Sequence, residues 1–171
     1  MIWRLSHKLK SKIKSAQLSE LPLDENPYAD WSSHLFTAAR SQYIILTNTA
    51  SLYSCVMAGR GISNQRLFVE RALETIRDFT ADDGQQFNFR KFVIPAATDV
   101  RFAKSLNRSV IGSMNELVEV AKIFLSEGMS VNDVGYRLNE TPLSALTDAE
   151  GRKYAKPKES FIRLADRMNH E

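Results

Sequence analysis

The sequence predicts an α+β fold, in which an antiparallel sheet (a three-stranded meander plus one or two further strands) is covered by about five helices. Three observations carry this expectation. Three β-rich runs follow one another, with connections too short for parallel crossovers. Later segments place apolar residues at helical spacing behind a capping residue. The chain has 171 residues, 43% hydrophobic and 25% charged, enough for one core without a metal or disulfide staple.

Taken in order, residues 1–5 read as a short strand and 6–15 as a helix with Leu9 and Ile13 on one face. Leu18 to Pro27 has turn residues and no period, which predicts a loop. The meander is expected at Ser33–Ala38, Gln42–Thr47 and Ser51–Met57, and Gly59 and Gly61 then break the pattern. A helix follows with Ser63 as N-cap, running to about Phe79, its stripe formed by Val69, Ala72, Leu73, Ile76 and Phe79. Asp82-Asp83-Gly84 is a turn, and Phe87–Ile94 fits either regular structure. Asp99–Ser105 alternates and reads as another strand.

The clearest helix is expected to start at Ser113, where Ser113 and Glu116 form a capping box. Met114, Leu117, Val120, Ala121, Phe124 and Leu125 mark its face, and Gly128 stops it. Ser130 caps a shorter helix that Thr141-Pro142 ends, and Pro157 opens a last one with Phe161, Leu164, Ala165 and Met168 on one side. The expected organisation is a single domain over residues 1–147 and a helical C-terminal extension over 148–171, with no internal repeat.

Cys55 stands alone, so no intramolecular disulfide forms, which suits a reducing cytoplasm. No apolar run reaches the ~18 residues of a membrane span, and the basic N-terminus lacks the apolar stretch of a secretory signal. A cytoplasmic protein without membrane association is therefore expected. Charge is unevenly placed. Residues 1–15 carry Arg4, Lys8, Lys10, Lys12 and Lys14 and no acid; residues 151–171 are also net basic, and the middle is net acidic. If the termini meet, as termini often do, they form one basic patch that attracts phosphate backbones. Solvated helix faces are the plainer alternative.

The segment from Lys104 to Asn115 joins an expected strand to an expected helix and is the most informative for chemistry. Lys104, Asn107, Arg108, Ser109, Gly112 and Ser113 are the candidate ligand-binding residues. Free N–H groups at a helix start attract anions, and Lys104 and Arg108 add charge. The spacing is not that of a Walker P-loop. In the structural alternative, Gly112 makes a turn, Ser113 caps a helix and Arg108 pairs with an acid.

His34, in the first meander strand, is a weak candidate general base. His7, His34 and His170 form no metal-ligand spacing, so neither a metal nor a cofactor is expected. Cys55 reads as a small core residue. Glu116 and Glu119, three apart, could share a metal but read better as a cap and a solvated neighbour. Tyr43, Tyr53, Phe89 and Phe102 read as core rather than stacking platforms.

Two stretches, Trp31-Ser32-Ser33-His34-Leu35-Phe36 and Asn107-Arg108-Ser109-Val110-Ile111-Gly112-Ser113-Met114-Asn115, resemble signatures of an uncharacterised bacterial domain family of unknown function. His7-Lys8-Leu9-Lys10 and Leu138-Asn139-Glu140-Thr141-Pro142 match its basic start and its Leu-x-Glu-Thr-Pro stretch. The resemblance covers roughly residues 1–145. Ile111 stands where the family pattern has Leu, and His34 where relatives carry Asn, so no family role attaches to His34. The resemblance implies no activity, cofactor or ligand. Its loose association with plasmid and mobile-element genes points toward nucleic-acid or toxin–antitoxin biology.

The leading expectation is a non-enzymatic binding or regulatory domain for an anionic partner, a nucleic acid or another phosphate-containing ligand, engaged through the Asn107–Ser113 segment and the basic termini. The competing one is a small phosphodiester- or nucleotide-handling hydrolase, with His34 as base and Arg108 stabilising negative charge. A third is a protein–protein interaction module.

Overall fold

The structure, a computed structural model, describes residues 1–168. His170 lies outside the described residues. A five-stranded sheet in the order β4-β3-β2-β1-β5 is built from β1 (Ile2–Leu5), β2 (Asp30–Ala38), β3 (Ser41–Asn48), β4 (Ser54–Ala58) and β5 (Arg101–Ala103). The meander β2–β3–β4 is antiparallel, as its short connections require. Ala39 and Arg40 form the β2–β3 turn, both at positive φ (46° and 64°), the backbone that two-residue hairpins need.

The expectation of an antiparallel sheet needs one correction. β1 lies between β2 and β5 and runs parallel to both, so the sheet is mixed. The long connection from β1 to β2, with its helix, is what allows the parallel return. Every residue of β1 is buried, because this central strand is covered on both faces.

The helices are α1 (His7–Lys12), α2 (Gln65–Asp82), α3 (residues 86–96, with a π-type turn at Phe89–Val93), α4 (Arg108–Ser126), α5 (Val131–Glu140) and α6 (Pro157–Met168). Phe87–Ile94, ambiguous in sequence, is thus helical. A small antiparallel hairpin, β6 (Leu143–Thr147) and β7 (Lys153–Ala155), was not foreseen. None of the described helices is long and apolar enough to cross a membrane.

Strand alternation splits the core in two. Trp3, Trp31, Ile44, Leu46, Cys55 and Met57 face a layer made by α1, α2, α3 and α6. Phe36, Ile45 and Val56 face the other layer, made by α4, α5 and the β6–β7 hairpin. The residues from 148 onward, expected as an extension, supply part of both: Ala155 to the second cluster, Phe161 and Leu164 to the first. Phe161 stacks on Tyr53 at 4.2 Å and meets Tyr28 edge-on at 4.9 Å, and the Tyr28 hydroxyl donates to the Phe161 carbonyl at 2.8 Å. Lys158 and Tyr53 both donate to Asp83, at 2.7 and 2.8 Å, tying α6 to the end of α2. Burial of Tyr53, then the Asp83 charge, drives its phenol pKa far up, so it stays a donor.

Two helix starts differ from expectation. Asn64, not Ser63, caps α2, with its side chain accepting from the Leu67 N–H at 2.9 Å. α4 starts at Arg108, five residues before Ser113, because the Asn107 side chain caps it by accepting from Val110 N–H at 2.9 Å. Ser113 is inside the helix and buried.

Candidate functional site

Two adjacent parallel strands, β1 and β5, send their following helices to opposite faces of the sheet. Leu9 of α1 and Ile13 just after it join one core cluster, while Met114 and Leu117 of α4 join the other. Such a divergence leaves a crevice outside the carboxyl ends of the strands, where open sheets place their ligands. Here it opens into two neighbouring hollows. A cleft of about 520 Å³ lies between α1 and α4, walled by Ser6, His7 and Lys8, by His34 to Thr37 of β2, by Gln42 of β3, and by Asn115, Val118, Glu119 and Lys122. A second, of about 420 Å³, is lined by Leu5, His7, Lys10, Gln17, Leu18, Lys104 and Ser105. His7 borders both.

Ser6 fixes the junction. Its N–H donates to the Ser33 carbonyl at 3.0 Å, and its Oγ accepts from the Leu35 N–H at 3.4 Å, straddling His34. The two histidines therefore reach one cleft although 27 positions apart in sequence. His34 is half-buried, and that burial lowers its pKa below the usual 6.5, favouring the neutral imidazole. Lys122 pairs with Glu119 at 2.9 Å within α4, and Lys12 donates to Gln42 at 2.8 Å.

The sequence-derived site residues are distributed as follows. Lys104 lines the smaller hollow and pairs with Glu20 at 3.3 Å. Asn107 spends its side-chain oxygen on the Val110 N–H, so it caps the helix rather than presenting a free acceptor. Arg108 and Ser109 are exposed in the first turn of α4; Gly112 is helical with open space beside it, not a turn; Ser113 is buried. Arg108 is not among the residues walling the cleft with His34. It shares the helical face of Asn115 and Lys122, two turns and about 10 Å before Asn115.

His7, Lys8, Asn115 and Lys122 belong to the cleft and were missed as site residues. The signal that would have joined His7 to His34 is the parallel pairing of β1 with β2, with Leu5 opposite Ser33.

The same end of the sheet gathers bases: four lysines on and just after α1 (Lys8, Lys10, Lys12, Lys14), Arg40 in the β2–β3 turn, Arg60 after β4, and Arg108. Lys12, Arg40 and Arg60 line a further shallow hollow together. Among the described residues, none of these seven has an acidic partner. Arg4, counted with them in sequence, is buried in an ion pair with Asp30.

The basic C-terminal segment does not join this patch. Its helix packs on Tyr28 and Tyr53, at the amino end of β2 and the β3–β4 turn, opposite α1. Its bases are largely spoken for: Arg152 by Asp148, Lys156 by Glu140, Lys158 by Asp83, and Arg163 by the Thr147 carbonyl. Among the described residues, no group of three or more His, Cys, Asp or Glu side chains is placed to hold a metal ion.

Fold and site together define an α+β domain with a mixed sheet and a basic cleft at the carboxyl end of its parallel strands. The chain belongs to the family described as a domain of unknown function, DUF6933, whose pattern it matches over residues 2–160. That span reaches into α6, beyond the stretch covered by the sequence resemblance. A comparison with curated proteins finds no match.

Proposed function

We propose that this protein is a binding domain whose basic sheet end, with α1 at its centre, docks the phosphate backbone of a nucleic acid. The observation that carries the reading is the contrast between the two ends of the molecule. At one, seven basic side chains gather without an acidic partner among the described residues; at the other, Arg152, Lys156 and Lys158 of the basic C-terminal segment are held by Asp148, Glu140 and Asp83. Unpaired cations on one surface neutralise phosphates and release the cations condensed on a nucleic acid, with a gain in counterion entropy. Such contacts position a backbone without reading sequence. Arg108, on the face of α4 that leads into the cleft, and Lys104 beside His7 extend the same surface.

Fluorescence anisotropy with a labelled single-stranded RNA and a DNA duplex, at low and high salt, tests the reading. Affinity is expected to fall steeply with salt. Replacing Lys8, Lys10 and Arg40 together by Ala should weaken binding and flatten the log–log salt slope by about 0.7–0.9 for each phosphate no longer neutralised. Binding that ignores salt, or that survives the triple substitution unchanged in a folded protein, overturns it.

A further inference from the structure

We propose that the cleft between α1 and α4 is a site for a ribonucleoside 5′-monophosphate group, either free or as the phosphorylated 5′ end of an RNA. The inference deepens the docking reading above and rests on it for the RNA source. A backbone phosphodiester carries one negative charge and needs an open track, which the exposed lysines of α1 provide. The cleft differs in kind. It is walled on three sides, and cations approach it from opposite walls, Lys8 from the α1 side and Lys122 from α4. Convergent cations in a concave site suit a terminal monoester, which bears close to two charges at neutral pH and presents three acceptor oxygens. The imidazole of His7, at the mouth, adds a donor.

Glu119 separates a nucleotide from a bare phosphate. It lines the same cleft and holds Lys122 at 2.9 Å, which uses one of three ammonium protons and leaves the others for a ligand. A carboxylate repels any phosphate placed beside it but accepts hydrogen bonds from the vicinal hydroxyls of a ribose, so a ribonucleotide recovers at Glu119 what a bare phosphate does not. At about 520 Å³ the cleft is of the size that small-molecule sites occupy, roughly 300–1,000 Å³.

Isothermal titration of the full chain with adenosine 5′-monophosphate, its 2′-deoxy counterpart, adenosine and inorganic phosphate tests the site. In parallel, anisotropy compares one RNA with and without a 5′-phosphate. The monophosphate is expected to bind, and adenosine and inorganic phosphate to bind at least about tenfold more weakly. Lys8→Ala and Lys122→Ala should each cost about tenfold, the 2′-deoxy counterpart should bind more weakly than the ribonucleotide, and Glu119→Ala, which removes the acceptor, should erase that preference. Preference of the RNA for its phosphorylated form identifies a chain end as the source; binding of the free nucleotide alone identifies a small-molecule site. Equal affinity for inorganic phosphate and the nucleotide overturns the proposal. RNA binding that is indifferent to the 5′-phosphate, with no nucleotide binding, overturns it and leaves backbone docking standing. Nucleotide binding without any RNA binding retains the cleft and removes the docking reading.

Discussion

Arg4 shows how a residue counted as surface charge becomes part of the interior. Its side chain is 1% exposed, and Asp30, facing it from β2, is fully buried. All five guanidinium N–H groups find acceptors: Nε and Nη2 on Asp30 (2.8 and 2.7 Å), Nη2 also on the Pro22 carbonyl (2.7 Å), and Nη1 on the carbonyls of Leu21 and Lys104 (3.0 and 3.2 Å). One side chain thus ties β1 and β2 to the 16–26 loop and to the end of β5, at the edge of the smaller hollow. Removing one partner of a buried pair leaves the other charge uncompensated, so Arg4→Met should destabilise the fold by about 3–5 kcal/mol in urea unfolding. Replacing Asp30 by Leu as well should recover part of that loss, since a fully apolar exchange leaves no orphaned charge.

His34 gives a second prediction at this scale. Its proton affinity is lower in the folded chain than the unfolded reference of 6.5, because burial disfavours the imidazolium. The unfolded chain therefore binds more protons below about pH 6.5, and stability must fall as pH drops through that value until the folded pKa is passed. Urea midpoints measured from about pH 8 down to about pH 5 should decline, and His34→Gln should flatten the decline within that window. An unchanged profile in the variant would place the titration elsewhere.

At the scale of elements, α4 shows what the sequence could and could not reveal. Its apolar face was legible, because Met114, Leu117, Ala121 and Leu125 repeat at helical spacing and are buried as that spacing requires. Its start was not, because Asn107 and Ser113 are both good caps and local pattern does not rank them. Tertiary packing decides: Val110 also packs against the second core cluster, so the helix gains by beginning a turn and a half earlier. Asn107→Ala should therefore cost about 1 kcal/mol, while Ser113→Ala should cost nothing of capping origin. Chemical unfolding of both variants measures the difference, and equal losses would contradict the observed start. The meander was legible for a related reason, since hairpin connections are local. β1 and β5 were read as strands, but their parallel pairing joins residues about a hundred positions apart, and no local pattern encodes it. That missing pairing also hid the site, because only a parallel β1–β2 pair brings His7 beside His34. The Asn139 side chain acts on the same principle, accepting from the Ser54 N–H at 2.7 Å and donating to the Ser54 carbonyl at 2.8 Å to satisfy the edge strand β4.

For the whole molecule, the separation of two basic segments turns a weak net charge into a directional field. The formal charge is only +3, and a uniform surface with that charge would give little preference for a polyanion. The fold instead places α1 and the β2–β3 turn at one end of the sheet and α6 at the other. Charge reversal at each end distinguishes a local surface from a net-charge effect. Lys10→Glu with Lys14→Glu and, separately, Lys153→Glu with Arg167→Glu change the formal charge equally and touch exposed or half-exposed side chains without acidic partners among the described residues. If the basic sheet end is the docking surface, the first pair should abolish measurable RNA binding at moderate salt. The second should change affinity far less, because the field of charges outside the docking surface is screened over a Debye length of about 8 Å. Equal losses from both pairs would show that long-range attraction to the whole protein, and not a surface at the carboxyl end of the parallel strands, governs the interaction.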